Sequence, residues 1–143
     1  MKTRRAFLGL SLAASVAGVA LYSQTTPGLA GETLSPDQAH SRARAGTLTL
    51  IDIRRPEEWA DTGIAAGAHP LDLRRRDFVA DLARIAPPDT PIALICARGV
   101  RSAQLAAQLR SAGFSAIIDV PEGMLGSAAG PGWIARGLPL TRP

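Results

Sequence analysis

The sequence predicts a single α/β domain with a parallel sheet and helices on both faces of that sheet. Three apolar segments, at residues 47–52, 92–96 and 115–120, alternate with segments of helical character. The second and third are almost continuously apolar, which is typical of strands covered on both faces. Strands that alternate with helices form parallel sheets. A chain of 143 residues provides one ordinary domain and is too short for two.

Residues at the helix ends mark where each predicted helix begins and stops. Ser35 and Gln38 have the spacing of a capping box, and Gly46 follows the helix that they begin. The other helices, predicted from apolar spacing and from terminal glycine or proline, cover residues 55–63, 75–85 and 102–113. A brief strand is predicted within residues 67–73. We expect Ser102 to be the N-cap of the last helix.

Residues 1–30 have the order of an export signal: a basic start, an apolar run and then small polar residues. The segment Thr3–Gly9, with Arg4 and Arg5 before Phe7, resembles the twin-arginine export motif of bacteria. The apolar run of about 17 residues is short for a membrane span. We therefore expect cleavage after Ala30 and a periplasmic domain at residues 31–143, with membrane contact only through an uncleaved leader.

The basic character of the chain belongs largely to this leader. The full sequence has 16 Lys and Arg residues against 12 Asp and Glu. Lys2, Arg4 and Arg5 account for three of the basic residues, which leaves 13 against 12 in the rest of the chain. A net charge near +1 gives no reason to expect a nucleic-acid partner.

Cys96 is the only cysteine, so no internal disulfide is possible. It follows the apolar run at 92–95, at the carboxyl end of a predicted strand. Ligands of parallel α/β sheets bind beyond the carboxyl ends of the strands. This position makes Cys96 the candidate centre of a functional site, although a free cysteine is also a common buried packing residue.

The residues after Cys96 favour a reactive thiolate. Gly99 permits a positive φ, so a tight loop here can direct several backbone N–H groups inward. The start of the following helix adds partial positive charge, and Arg98 and Arg101 are expected to add two full charges. Each of these groups stabilises a thiolate relative to a thiol, so the pattern predicts a nucleophilic cysteine that holds an anionic sulfur species.

Four segments carry a resemblance to the rhodanese (sulfurtransferase) family. The loop Cys96–Ser102 is similar to the active loop of that family, Cys-x-x-Gly-x-Arg-Ser. Residues 50–59, 63–73 and 133–140 resemble its Asp-x-Arg…Glu-aromatic, Gly-Ala and Trp…Gly-Leu-Pro segments, in the same order. The resemblance implies one domain with a five-stranded parallel sheet. The sequence differs from the family pattern at Gly63, a position where the family often has a histidine. The stretch from Gly123 to Trp133 is also longer than in the family, and we interpret it as a flexible lip beside the site.

The resemblance also implies a chemistry and its residues. Cys96 is expected to accept sulfur from a small-molecule donor such as thiosulfate, to carry it as a persulfide, and to pass it to a thiol or cyanide-like acceptor. The persulfide would be held by the rest of the loop, Ala97, Arg98, Gly99, Val100, Arg101 and Ser102. No cofactor is expected, and the sequence leaves the oligomeric state open.

Two other interpretations stay open at this point. The domain is alternatively a sulfur carrier without catalysis, or an interaction module that keeps the fold. A cysteine phosphatase or arsenate reductase is a weaker alternative, because those loops have five residues between cysteine and arginine. This loop has four, from Ala97 to Val100.

Asp52 and Arg54 lie at another predicted strand end. They are candidates for orienting the cysteine loop or for contacting the donor. The interpretation that we favour is an ion-pair network with Glu57 or Glu58 that fixes the chain after the strand.

The two histidines show no pattern that predicts catalysis or metal binding. His40 lies on the first predicted helix, and His69 precedes a proline in a turn. One cysteine and two scattered histidines do not have the spacing of metal ligands, so no metal site is predicted.

Overall fold

The computed structural model describes residues 31–86 and 89–143, so the predicted export signal at 1–30 lies outside the described residues. Six strands and four helices follow one another in the described chain. They are α1 (Pro36–Arg44), β1 (Thr49–Asp52), α2 (Pro56–Thr62), β2 (Ile64–Ala65), β3 (Ala68–Pro70), α3 (Phe78–Ile85), β4 (Ile92–Ile95), α4 (Val100–Ser111), β5 (Ile117–Asp119) and β6 (Leu140–Thr141). Within these residues, no helix is long and apolar enough to cross a membrane.

The central sheet is parallel, with strand order β3-β1-β4-β5, which confirms the predicted α/β class. The register places Asp52 opposite Ile95, and Leu94 opposite Asp119. The carboxyl ends of β1, β4 and β5 therefore lie along one edge of the sheet.

Four strands form this sheet in the described part of the chain, where the resemblance implied five. The position beside β5 is taken by a single parallel bridge between Thr33 and Asp119. Two hydrogen bonds flank this bridge, from Leu34 N to Asp119 O and from Asp119 N to Glu32 O. The short pair β2 and β6 is separate and antiparallel.

The sheet separates two apolar clusters because alternate residues of each strand point to opposite faces. Ile92, Leu94 and Cys96 face the cluster that includes α3 and α4, whereas Ala93 and Ile95 face the cluster that includes α1. Trp133 is completely buried in the second cluster. Cys96 therefore shares a face of the sheet with α4.

The helix ends follow the predictions at α1 and differ at α4. Ser35 and Gln38 form the predicted capping box of α1. By contrast, α4 begins at Val100 with Gly99 as its N-cap, so the prediction that Ser102 caps this helix is wrong. The Gly99 backbone has φ +83° and its carbonyl accepts the bond from Ala103 N, which leaves Ser102 inside the first turn.

Candidate active site

The Cys96 sulfur lies inside a tight loop, which we call the cysteine loop (residues 96–102). The side chain is 1% exposed. The Gly99 amide donates a hydrogen bond to Sγ at 3.1 Å, and the thiol donates to Ser102 Oγ at 3.5 Å. Ser102 Oγ in turn donates to Gly99 O at 3.1 Å. Cys96, Gly99 and Ser102 thus form one small hydrogen-bonded group.

Several amides of the loop remain free to bind an anion. Among the described residues, no atom accepts a hydrogen bond from the backbone N–H of Arg98, Val100, Arg101 or Ser102. The first N–H groups of a helix have no partner within that helix and carry partial positive charge. Of the loop amides, that of Gly99 is shown in contact with the sulfur, and a cluster of such N–H groups is suited to bind an anion.

Gly99 is required by both its conformation and its surroundings. Its φ of +83° is left-handed, and a Cβ atom at this position would lie 2.1 Å from the carbonyl oxygen of Pro121. A side chain here would therefore strain the backbone and displace the neighbouring segment.

The stretch that follows β5 packs against the cysteine loop and supports it, and we call it the brace segment (residues 121–133). Met124 N donates to Cys96 O and Leu125 N to Ala97 O, both at 2.9 Å. Gly123 packs so closely that a Cβ there would lie 2.4 Å from Ala97 O. At Gly123 and Met124, the predicted flexible lip is therefore buried, and with Leu125 it holds the carbonyl groups of the loop.

Glu122 of the brace segment forms an ion pair with Arg136, which lies just beyond the segment. The Glu122 carboxylate, 4% exposed, accepts hydrogen bonds from Gly132 N and from the Arg136 guanidinium, at 2.7–3.0 Å. Arg136 holds the pKa of Glu122 below its usual value. Because Glu122 stands near the start of the brace segment and Gly132 near its end, their hydrogen bond holds the two ends together.

Both arginines of the cysteine loop, which were predicted to add two full charges, make hydrogen bonds outside the loop. Arg101 makes a bidentate ion pair with Glu58, at 2.7 and 2.8 Å. This pair lowers the pKa of Glu58 and raises that of Arg101. Arg98 donates to Gly126 O at 3.2 Å. Glu58 therefore balances the charge of Arg101, whereas no carboxylate of the described residues pairs with Arg98.

Asp52 and Arg54 form a buried ion pair at the end of β1, exposed by 0% and 1% respectively. Arg54 also donates to Thr62 Oγ1 at 2.8 Å and to Gly63 O at 2.7 Å. The favoured ion-pair interpretation is thus correct in kind, but the carboxylate is Asp52 instead of a glutamate of α2. None of these hydrogen bonds reaches the cysteine loop.

Sequence reasoning identified neither Glu58 as the partner of Arg101 nor Asp119 as a buried acid. Glu58 lies 43 residues from Arg101, and nothing local in the sequence links them. Asp119 was visible as an acidic residue inside an apolar run. It ends β5, it is 8% exposed, and its Oδ1 has no hydrogen-bond partner among the described residues. Burial raises the pKa of this carboxyl.

Neither histidine takes part in the hydrogen bonds described for the cysteine loop. His40 packs edge-on against Trp133, with ring centroids 5.4 Å apart, and His69 is exposed on β3. An open cavity of about 390 Å³ adjoins the Arg101–Glu58 pair. It is lined by Arg55, Glu57, Glu58 and Arg101, and Cys96 does not line it.

A buried strand, a cysteine, a loop with free amides and a helix define a class: α/β proteins with a cysteine in the loop between a central strand and a helix. The family model of the Rhodanese-like domain matches residues 35–128 of this chain. The chain belongs to the rhodanese-like domain family.

Curated relatives and a solved structure agree with this assignment. The chain is 36% identical over 105 residues to thiosulfate sulfurtransferase GlpE of Pseudomonas entomophila, covering 73% of this chain and 92% of that protein. It is 33% identical over 96 residues to the probable adenylyltransferase/sulfurtransferase MoeZ of Mycobacterium tuberculosis, covering 66% of this chain and 24% of that protein. The polysulfide-sulfur transferase homodimer of Wolinella succinogenes superposes with a TM-score of 0.62 at 26% identity, covering 79% and 80% of the two chains.

Proposed function

We propose that this protein is a sulfurtransferase that moves sulfane sulfur from a donor such as thiosulfate to a thiophilic acceptor through a persulfide on Cys96. The Cys96 thiolate attacks the outer sulfur of thiosulfate, a new S–S bond forms, and sulfite leaves with the electron pair of the broken bond. The acceptor then attacks the outer sulfur of the persulfide, and Cys96 leaves as a thiolate. The likeness to thiosulfate sulfurtransferases supports this proposal.

The observation that carries the proposal is the Gly99 amide bonded to the Cys96 sulfur, in a loop with further amides that have no acceptor among the described residues. Arg98, Val100, Arg101 and Ser102 each have a backbone N–H without an acceptor in the described chain. Together with the amides of Ala97 and Gly99, they are the groups that we assign to the persulfide. Donors fixed in place before the charge arrives stabilise that charge without having to reorganise.

The size of the loop supports sulfur in preference to phosphate. Cys96 is 1% exposed, so its sulfur reacts with a small donor or after a local movement of the loop. The four residues between Cys96 and Arg101 enclose less space than the five of a phosphate-binding loop. A single added sulfur atom needs less space than a tetrahedral phosphoryl group.

Intact-mass measurement after incubation with thiosulfate tests the proposal. The wild-type chain is expected to gain one sulfur atom and to lose it when cyanide is added, with thiocyanate as the product. Cys96→Ser is expected to gain none. Sulfur uptake by the serine variant, or none by the wild type, would overturn the proposal. Hydrolysis of an aryl phosphate by the wild type would favour the phosphatase alternative.

Two glycine variants separate damage to the loop from general backbone strain. Gly99→Ala introduces a Cβ 2.1 Å from Pro121 O, whereas Gly113→Ala, at φ +98°, meets nothing within 4 Å. We expect Gly99→Ala to slow sulfur uptake about 100-fold, the effect of displacing a reacting group by roughly 1 Å. Gly113→Ala keeps the wild-type rate. Equal rates in both variants would contradict the assigned role of the loop.

We further propose that residues 1–30 direct the protein to the periplasm by the twin-arginine route. The proposal rests on Arg4 and Arg5 before the apolar run. Replacement of both arginines by lysine keeps the leader basic and is expected to leave the protein in the cytoplasm. Fractionation of cells that express the two forms measures this, and continued export of the lysine form would exclude that route.

A further inference from the structure

Both sequence neighbours of Glu122 lie against the cysteine loop. Pro121 O is so close to Gly99 that a Cβ on the glycine would stand 2.1 Å from it. On the other side of Glu122, a Cβ on Gly123 would stand 2.4 Å from Ala97 O. The backbone of Glu122 is therefore fixed between two close contacts with the loop.

The next two residues of the brace segment add hydrogen bonds to these contacts. Met124 N donates to Cys96 O, and Leu125 N donates to Ala97 O, both at 2.9 Å. The brace segment thus holds the Cys96 carbonyl, while the Cys96 sulfur accepts the Gly99 amide at 3.1 Å. A shift of the brace segment would move the groups on both sides of the sulfur-bearing residue.

The Glu122 side chain is fastened to the far end of the brace segment and to Arg136. Its carboxylate accepts from Gly132 N at 3.0 Å, and from Arg136 Nε and Nη2 at 2.8 and 2.7 Å. A Cβ on Gly130 would stand 2.5 Å from Glu122 Cδ, so a glycine is needed beside it. The carboxylate is therefore held by three donors in a space that admits no larger neighbour.

Arg136 divides its guanidinium between two carboxylates that differ in exposure. Nε and Nη2 bind Glu122, whereas Nη1 donates to Asp37 Oδ2 at 2.7 Å. The Asp37 side chain is half exposed and the Glu122 side chain is buried. Exposed ion pairs contribute little, because water and salt screen them and long side chains lose entropy. The pair with Glu122 is therefore the one that we expect to fix the brace segment.

We propose that Glu122 is a positioning residue for sulfur transfer. It keeps its two neighbours against the cysteine loop, and through them it holds the Gly99 amide against the Cys96 sulfur. The inference rests on the proposed sulfurtransferase function. When the acceptor takes the outer sulfur, the electron pair of the broken S–S bond stays on Sγ, where the amide meets the new charge. A donor fixed in place beforehand stabilises such charge without reorganising.

Single-turnover discharge of the persulfide to cyanide tests this role. Each variant is first loaded with thiosulfate, and the formation of thiocyanate from the loaded chains is then timed. Glu122→Gln loses the charge that binds Arg136, so we expect discharge to slow on the order of 10-fold, less than the roughly 100-fold cost of displacing a reacting group by about 1 Å. Because only folded chains load sulfur, a loss of stability alone lowers the amount of thiocyanate and not its rate of formation.

Asp37→Asn is the matched control, because it removes the other carboxylate partner of the same guanidinium. We expect Asp37→Asn to discharge sulfur at the wild-type rate. A wild-type rate in Glu122→Gln would overturn the role of Glu122. Equal slowing in the two variants would also overturn it, since the effect would then follow the charge balance of Arg136 and not the brace segment.

Gly130→Ala disturbs the Glu122 side chain without removing its charge. The added Cβ would lie 2.5 Å from Glu122 Cδ, so the carboxylate has to move. Gly137→Ala is its control, because a Cβ there meets nothing within 4 Å. We expect slower discharge in Gly130→Ala than in Gly137→Ala. If Glu122→Gln does not fold, equal discharge rates in the two alanine variants would overturn the role of Glu122 instead.

Hydrogen exchange of backbone amides separates this inference from the function beneath it, because it needs no sulfur chemistry. In Glu122→Gln we expect faster exchange of the Gly99, Met124 and Leu125 amides, which bind Sγ and the loop carbonyls. The Val120 amide, which bonds within the sheet, is expected to keep its rate. Unchanged exchange at the first three amides would overturn the role of Glu122. Failure of the wild type to take up sulfur overturns the sulfurtransferase proposal, while the exchange rates still report whether Glu122 holds the loop.

Discussion

Two Asp-x-Arg sequences, Asp52–Arg54 and Asp72–Arg74, form the same hydrogen-bonded ring in opposite environments. In each, the arginine amide and Nε donate to Oδ1, and Nη2 donates to Oδ2. The distances are 3.1, 2.9 and 2.7 Å in the first ring and 2.9, 3.0 and 2.6 Å in the second. Arg54 is 1% exposed, whereas Arg74 is 50% exposed.

The difference lies in what surrounds each ring. Arg54 continues to Thr62 and Gly63, so it fastens the end of β1 to the end of α2. Beyond its ring, the one further ion pair of Arg74 within residues 31–86 and 89–143 is a 4.0 Å contact with the exposed Glu57. The same three-residue motif is thus a structural joint in one place and a surface feature in the other. Burial and additional partners, which the motif itself does not specify, decide its contribution.

The largest effect is expected from Asp52→Asn. It leaves the Arg54 guanidinium buried without its counter-charge, and breaking a buried pair in this way costs about 3–5 kcal/mol. The free energy of unfolding, from urea titration, measures this. A loss of unfolding free energy no greater than that of Asp72→Asn would show that burial does not set the contribution of the ring.

Glu58→Gln is expected to have an intermediate effect, because its pair with Arg101 is 29% exposed on both sides. Arg101 lowers the folded pKa of Glu58, so the pair contributes its full stability above the unfolded pKa of about 4.3. This contribution is lost as the pH falls through the lowered folded value. The difference in Tm between wild type and variant is expected to shrink over that acidic range, and a constant difference would contradict it.

Asp119→Asn is expected to change stability in the opposite direction. Asp119 is a buried acid without an arginine partner, and burial raises its folded pKa above the unfolded value. Wild-type stability therefore falls as the pH rises through the folded value, and the amide removes this loss. We expect a higher Tm for the variant at neutral pH. We expect no difference in Tm at a pH low enough to protonate the Asp119 carboxyl in both the folded and the unfolded wild-type chain. Thermal unfolding at the two pH values measures this.

The smallest effect is expected from Asp72→Asn. Exposed ion pairs often contribute nothing measurable, however regular their geometry. The Tm of this variant is expected to match that of the wild type, at low and at high salt. A clear loss of Tm would show that geometry, not burial, sets the value of the Asp-x-Arg ring.

The parts of the fold that were predictable are those encoded locally. The capping box of Ser35 and Gln38 lies within four residues, and the apolar run at 92–95 is continuous, so α1 and β4 follow from short segments. The start of α4 was misplaced because Ser102 is a good N-cap by type. Its hydroxyl is used instead by the Cys96 thiol and the Gly99 carbonyl.

The site was predictable only in its central part. Cys96, Gly99 and the loop between them stand together in the sequence. The pairing of Arg101 with Glu58 and the support of Ala97 by Leu125 join residues 43 and 28 positions apart. Such contacts depend on how the strands are ordered in the sheet. The sequence shows that Arg101 carries a charge, but it does not show that Glu58 neutralises that charge.

The brace segment has an uneven tolerance for change along its length. Gly123 and Met124 are packed against the cysteine loop, but a bridge between Ser127 and Gly130 closes a small hairpin whose tip, Ala128 and Ala129, is exposed. Loop tips of this kind accept insertions readily. The tip is therefore an attachment point for a fluorescent reporter or a tether. It is close in sequence to residues that contact the cysteine loop, but a closed turn separates it from them.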